Sequence, residues 1–506
     1  MWEFQSLFIT LLRKAEVMGM LALVCCMSVL LAHTAVFAAE PQIQTSAQSQ
    51  FPSMASEAQG TPAFQPALER IAKTAGTAGV IVASLSSGKV VCEFQPKEML
   101  VPASLMKLLT SYAALKKLGP SFRFTTKVMA AEEPVEGVIS GDIWIKGSGD
   151  PFFASENALQ LAKAVREKGI RQIRGSILVD DTFFRPMSER VCLDSDCVGV
   201  YNPVISAAAI DFNTLTVKVT GPVKAGKAFS VDSGLADGYV RVSGQASLGK
   251  KGRNSLRLRS FGATDNGQEQ FQLSGRASAR TRAFRFNAAD PAGLFAHAMR
   301  AALERSGVRV LGTGAKEGTT PRGAEVIVSY DSPRLVELIS GLNRYSNNFM
   351  AEMLLKSLGG YVAGAPGDSQ KGIAVVRTTL REAAIPEEIG TLDCGSGLSR
   401  FCRISPETFC RLLAAAWNDD EIREEFISSL AANGEQGTLK RRMHEPGLKV
   451  RGKTGTLNDV IGFAGYVSGP SGQTYAAVVM LNEVRDRFKA RQAVDSLIEQ
   501  VAFSGP

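Results

Sequence analysis

Three short stretches of this 506-residue chain bring a hydroxyl or an amide close to a lysine: Ser104-Leu105-Met106-Lys107, Ser346-Asn347-Asn348 and Lys453-Thr454-Gly455-Thr456. A serine hydroxyl is a poor nucleophile at neutral pH, so it needs a base within hydrogen-bond reach and donors for the oxyanion. Residues i and i+3 of a helix share a face, which brings Lys107 toward Ser104 in "VPASLMKLLTSYAALKKLG". Lysine becomes a base only when its pKa falls, through desolvation or nearby positive charge. The positive end of an apolar helix can contribute to both.

Each signal alone is weak. SxxK recurs at Ser86–Lys89, in a hairpin turn, and at Ser247–Lys250, in a Gly/Lys-rich loop; only Ser104 opens a long apolar helix. Ser104 therefore reads either as a nucleophile with its own base or as an N-cap beside an exposed lysine. SxN recurs at Ser155–Asn157. In "RYSNNF" it reads either as a helix cap between two helical stretches, or as a relay hydroxyl, Ser346, beside a substrate-binding amide, Asn348. KTG occurs once. Gly455 there permits close approach of a ligand to an edge strand, and Lys453, Thr454 and Thr456 can hold a carboxylate. The bland alternative is a basic turn.

Other chemistries fit less well. Beyond the first 39 residues the only histidines are His297, in "LFAHAMRAAL", and His444, in "RRMHEPG". Neither is accompanied by a GxSxG serine, so a Ser-His-Asp triad gives way to a lysine base. His297 sits on an apolar helix pattern and reads as structural. The cysteines lack paired CxxC spacing, so no zinc site is expected, nor any other metal or organic cofactor. The spacing around "GKT" is read against a P-loop. No Lys/Arg run is dense enough to argue for nucleic acid.

The elements that must position these motifs are legible in outline. "GVIVASLSSGKVVCEF" reads as a β-hairpin, followed directly by the Ser104 helix, which stops at Gly119-Pro120. From about 122 to 312 the chain turns to short β-rich segments, expected to form one or two inserted subdomains. Helical periodicity returns in "RLVELISGLNRYSNNFMAEMLLKSLGG" and "PETFCRLLAAAWN". "IGFAGYVSG" and "QTYAAVVMLNE" form a hairpin, and "RQAVDSLIEQVAF" a closing helix.

At the other end, Arg13 and Lys14 precede the apolar run "VMGMLALVCCMSVLLAHTAVF" and the small residues Ala38 and Ala39. Residues 1–39 thus read as a signal peptide cleaved near Ala38, the alternative being an uncleaved anchor. A lipoprotein reading is weaker, because Val24 precedes Cys25. Residues 40–62 read as a flexible linker. Composition is that of a globular protein, 45% hydrophobic and 21% charged. The leader's charges cancel, so the exported part carries the net +8 and is expected to tolerate or favour lipid head groups or acidic wall polymers. Six cysteines follow the leader, an even number that suits disulfides in an exported chain, with "CLDSDC" (Cys192–Cys197) a candidate local bridge.

SxxK, SxN and KTG in that order resemble the active-site set of the penicillin-binding proteins and serine β-lactamases. The 242-position interval from Ser104 to Ser346 resembles the large insertion typical of the D-alanyl-D-alanine carboxypeptidase/endopeptidases of the DacB type, the class C low-molecular-mass penicillin-binding proteins. "PASLMKLLTSYAAL", "GSGDPFF", "GSILVDDTFF", "GSGLSR", "ISPE" and "GEQGTLKRR" also resemble that family, over about residues 65 to 505.

The resemblance implies an α/β (α+β) transpeptidase-like domain, an antiparallel sheet flanked by helices, formed by 63–121 and 313–506 and split by the β-rich insert. It implies periplasmic activity on peptidoglycan peptides ending in D-Ala-D-Ala, and binding of β-lactam antibiotics. Carried over by position, Ser104 attacks the D-Ala-D-Ala carbonyl and Lys107 accepts its proton. Ser346, Asn348 and Lys453 complete the relay and substrate contacts. Thr454 and Thr456 bind the terminal carboxylate, and the N–H groups of Ser104 and Thr456 form the oxyanion hole. Water then releases the acyl-enzyme. The alternatives are a serine β-lactamase and a catalytically silent wall-binding scaffold on the same fold.

One departure stands out. Relatives usually read Asp-Gly-Ser-Gly-Leu-Ser-Arg where this chain has Cys394 before "GSGLSR", and Cys402 stands where Asn is common. A Cys394–Cys402 disulfide in place of a polar contact is the expectation, against two independent buried thiols.

Overall fold

The computed structural model describes residues 62–190, 199–202, 204–221, 229–248, 255–277, 281–386 and 390–504. The leader, nearly all of the linker, and the Cys192–Cys197 pair lie outside the described residues.

A six-stranded, wholly antiparallel sheet organises the first part of the structure. Its order is Val90–Phe94, Thr77–Ser84, Thr474–Asn482, Val460–Ser468, Lys449–Leu457 and Ala431–Ala432. The amino-terminal hairpin therefore pairs with the carboxy-terminal one, uniting segments nearly 400 residues apart. Apolar side chains run continuously along Val460–Ser468 and Thr474–Asn482, because both faces of these central strands are covered. Helices Gln65–Ala72 and Arg487–Ser504 share one core with the sheet. Helix Pro406–Trp417, capped by the Ser405 hydroxyl on the Thr408 N–H, also packs on it.

The serine helix, Met106–Leu118, is buried on every side over its first turns: every residue from Leu100 to Leu115 is buried except Ser104. Such a helix belongs inside the domain. It ends at Gly119, whose φ of +83° suits glycine.

The insert is built on a five-stranded mixed sheet, ordered Ala315–Glu317, Ile177–Asp180, Ile143–Lys146, Thr125–Ala130 and Glu325–Asp331. Two of these strands lie beyond residue 312, so the sheet of the insert reaches Asp331 before helix Leu335–Tyr345 begins. Helices Ser155–Glu167 and Pro291–Arg305 and three three-stranded sheets share a single apolar cluster with it. Two segments picked out in the sequence join insert to helix Asn348–Val362. Gly149 of "GSGDPFF" accepts from Ser357, and Ser148 accepts from the Tyr361 hydroxyl at 3.0 Å. Phe183 of "GSILVDDTFF" packs at a tilt on Tyr361, and Phe212 meets Phe349 edge-on.

Candidate active site

Ser104 lies in a single 3-10 turn, Ala103–Leu105, that feeds the serine helix. It makes no cap bond, and the helix N-cap position is Leu105. The choice left open by the sequence falls against the cap: Ser104 Oγ faces Lys107 Nζ at 2.9 Å. Ala103 just before it has φ +47°, a conformation a non-glycine residue adopts rarely and at a cost. The turn is held from both sides by glycines. A Cβ on Gly397 would lie 1.7 Å from the Ala103 carbonyl, and one on Gly455 would lie 3.0 Å from the Pro102 carbonyl. Gly455 thus makes room for the turn that carries Ser104, whereas the sequence reading reserved that space for a ligand.

Lys107 is fully buried. Its Nζ contacts Ser104 Oγ, Asn348 Oδ1 at 2.8 Å and the Ser396 carbonyl at 2.6 Å. Burial pushes its pKa down to about 7, against the opposing pull of Glu352 and Cys394. A neutral amine has two N–H groups and one lone pair. Two of its neighbours here are carbonyl-type oxygens that can only accept. When they take both N–H groups, the lone pair is left facing the Ser104 hydroxyl, the geometry of a general base. Asn348 is turned the right way by its other end, since its Nδ2 donates to the Tyr201 carbonyl at 3.0 Å.

The SxN segment caps a helix and also carries a hydroxyl to a lysine. Ser346 ends helix Leu335–Tyr345 in a left-handed conformation, φ +57°, and Asn347 caps the next helix by accepting from the Met350 N–H. That reversal leaves the Ser346 hydroxyl 2.9 Å from Lys453 Nζ. Lys453 is also fully buried, and burial, with the charge of Lys107 added, holds its pKa well below the usual lysine range. By contrast Ser155–Asn157 is local helix-start chemistry, Asn157 accepting from the Ala154 N–H and Ser155 donating to Asp211.

Lys453-Thr454-Gly455-Thr456 runs along the strand Lys449–Leu457 and not in a turn before one. Gly447 and Gly452-Lys453-Thr454 do carry the GxxxxGK[ST] spacing, so spacing gives no ground against a P-loop. The extended strand does, because a P-loop is a loop that opens a helix. The short outer strand pairs only with Arg451 and Gly452, leaving the edge open from Lys453 onward. The Thr454 carbonyl accepts from Lys453 Nζ, so it points to this edge, and strand alternation puts the Thr456 N–H on the same edge. Thr454 and Thr456 share a face, half-buried and exposed respectively.

Sequence reasoning missed Glu352, buried behind Lys107, and Ser396, whose carbonyl contacts it. The "GSGLSR" segment was the available signal for Ser396; Glu352 has only its helical phase, four residues after Asn348. The Cys394–Cys402 bridge is corrected: both thiols are buried and free, their sulfurs 3.8 Å apart where a bond needs about 2 Å. His297 is a buried residue of the insert beside Tyr239, its pKa lowered by burial.

Residues 64–501 match the D-Ala-D-Ala carboxypeptidase 3 (S13) family. A D-alanyl-D-alanine carboxypeptidase of Actinomadura sp. (strain R39) is 33% identical over 431 residues, 81% of this chain and 79% of that protein. The carboxypeptidase DacB of Haemophilus influenzae is 22% identical over 412 residues, 80% and 85% of the two chains. The crystal structure of penicillin binding protein 4 (dacB) from H. influenzae shares the fold, with a TM-score of 0.71 at 20% identity over 86% of this chain and 98% of that one. A second crystal structure of that protein, complexed with a β-lactam, gives 0.68 at 20% identity over 85% and 99%. With the family match running from the first helix of the sheet domain into the last, the chain belongs to the S13 family of D-Ala-D-Ala carboxypeptidases, a penicillin-binding family of serine peptidases.

Proposed function

We propose that this protein is an exported carboxypeptidase that removes the terminal D-Ala of peptidoglycan peptides through an acyl-enzyme on Ser104. The observation that carries the reading is the buried Lys107 amine, with acceptors for both N–H groups and Ser104 Oγ at 2.9 Å. In the first half-reaction Ser104 Oγ attacks the penultimate D-Ala carbonyl as its proton passes to Lys107. The oxyanion meets the N–H groups of Ser104 and Thr456. As the C–N bond breaks, a proton reaches the leaving amine through Lys107, with Ser346 and Lys453 as the relay. Thr454 and Thr456 hold the terminal carboxylate, and Asn348 contacts the substrate amide. Water then attacks the ester, passes a proton to the lysine base, and frees Ser104.

The amide of a peptide cross-link is cut by the same steps, so D,D-endopeptidase work belongs to the same proposal. A β-lactam enters as a cyclic amide whose leaving group stays tethered. The leader-like residues 1–39 support export to the periplasm, and the net +8 supports contact with anionic head groups or wall polymers.

Intact mass of the native protein and of Ser104→Ala, each with penicillin and with a peptide ending in D-Ala-D-Ala, tests the reading. A persistent penicillin adduct and D-Ala release in the native protein alone are expected. Rapid turnover of penicillin without an accumulating adduct would overturn it in favour of a β-lactamase, and an adduct surviving in Ser104→Ala would remove Ser104 from its role.

A further inference from the structure

Behind the acylating pair lies an acid that none of the three motifs contains. Glu352, one turn along helix Asn348–Val362 from Asn348, is 3% exposed. Its carboxylate accepts from the Gly395 N–H at 3.1 Å and from the Ser396 N–H at 2.8 Å. The next group along is the Ser396 carbonyl, which takes the 2.6 Å bond from Lys107 Nζ. Thr110, one turn below Lys107, donates to the Gly395 carbonyl at 3.0 Å. The loop is wedged as well as tethered, since a Cβ on Gly395 would meet the Ala351 carbonyl at 2.6 Å.

We propose that Glu352 is a positioning residue for acylation: by fixing the Gly395 and Ser396 N–H groups it aims the Ser396 carbonyl at Lys107, and its negative charge faces the lysinium formed when the serine proton arrives. The inference rests on Lys107 acting as the base.

Three arguments carry it. First, aiming the lysine lone pair requires two fixed acceptors. Asn348 is fixed by Tyr201, and the Ser396 carbonyl has Glu352 as its anchor. Second, a cation created in a buried site needs a counter-charge, because an unpaired buried charge loses its hydration with nothing in exchange. Glu352 is the carboxylate that acts on Lys107, and the other titratable groups facing the pair are Cys394, from the same loop, and Lys453, from the KTG strand. Third, the acid is tied into this loop: burial raises its pKa on balance, and the Ser396 hydroxyl, the two N–H groups and Lys107 each favour the carboxylate against that rise.

The test is the second-order rate of acylation by a fluorescent penicillin, followed from about pH 5 to about pH 9 on the full chain, for the native protein, Glu352→Gln and Glu352→Asp. The Gln variant keeps an acceptor oxygen and loses the charge. Its acidic limb is expected to move roughly 1 unit to lower pH, because an anion that favoured the protonated lysine has gone. The Asp variant keeps the charge and withdraws the oxygens, so its limb stays in place while its plateau falls about fivefold or more. A native acidic limb in Glu352→Gln, with or without a lower plateau, overturns the proposal. Should the Gln variant fail to fold, a native plateau in Glu352→Asp overturns it equally. Absence of labelling in the native protein, or labelling of Ser104→Ala, would instead defeat the underlying reading of Ser104 and Lys107.

Discussion

Asn348 donates its side-chain amide to the Tyr201 backbone carbonyl at 3.0 Å while its oxygen accepts from Lys107 Nζ at 2.8 Å. A residue of the insert therefore decides which end of the amide faces the lysine. Reversed, the amide would present N–H groups to an amine that already has its own, and the lone pair would no longer be left to the serine. The long interruption between the first two motifs is in this respect part of the site.

Asn348→Asp tests that relationship. A carboxylate beside Lys107 favours the charged lysine, so the acidic limb of penicillin acylation is expected to move up by about 1–2 pH units. Acylation at neutral pH should fall at least about tenfold. An unchanged limb would mean that the Asn348 oxygen does not address Lys107 in solution.

For the native protein, acylation should rise with pH through the Lys107 pKa of about 7. Below that value the protonated amine has no lone pair, and the rate should fall about tenfold per pH unit. Lys107→Ala should lose about a thousandfold or more in acylation rate and show no such limb. A native-like limb in Lys107→Ala would assign the titration to another group.

Gly455→Ala places a methyl 3.0 Å from the Pro102 carbonyl and 3.2 Å from Ala103 Cβ. Both neighbours belong to the turn that carries Ser104, so acylation is expected to drop about 10- to 100-fold through misplacement of the hydroxyl. Thermal unfolding alongside acylation kinetics checks this. A native acylation rate would show that the turn yields without cost.

Asp150, in "GSGDPFF", is 2% exposed. Its Oδ1 accepts from the Phe152 N–H, while Oδ2 has no hydrogen-bond partner among the described residues. Burial pushes its pKa from 3.8 up to about 7. Between those values the folded protein keeps a proton that the unfolded chain releases, so this group's contribution to stability falls as pH rises across the window and stays low above it. Asp150→Asn should therefore be more stable than the native protein by about 1–3 kcal/mol at pH 8, with the gain vanishing near pH 4. Denaturant unfolding at the two pH values would show it, and a gain of equal size at both would contradict the buried-acid account.

The sequence alone determined the chemical parts and much of the scaffold. Ser104, Lys107, Ser346, Asn348, Lys453 and the threonines beside it are visible because side-chain type and helical or strand spacing are local properties. The paired hairpins, the largely apolar serine helix and the change to short strands after residue 122 are legible for the same reason. Tertiary structure decided what local pattern does not encode: how far the insert's sheet extends, that Ser104 faces Lys107 and makes no cap bond, and what space Gly455 keeps open. It also joined Glu352 and Ser396 to Lys107 across 245 and 289 residues of chain and buried two lysines. A pKa depends on the whole surrounding volume, and that volume is assembled by contacts between segments hundreds of residues apart.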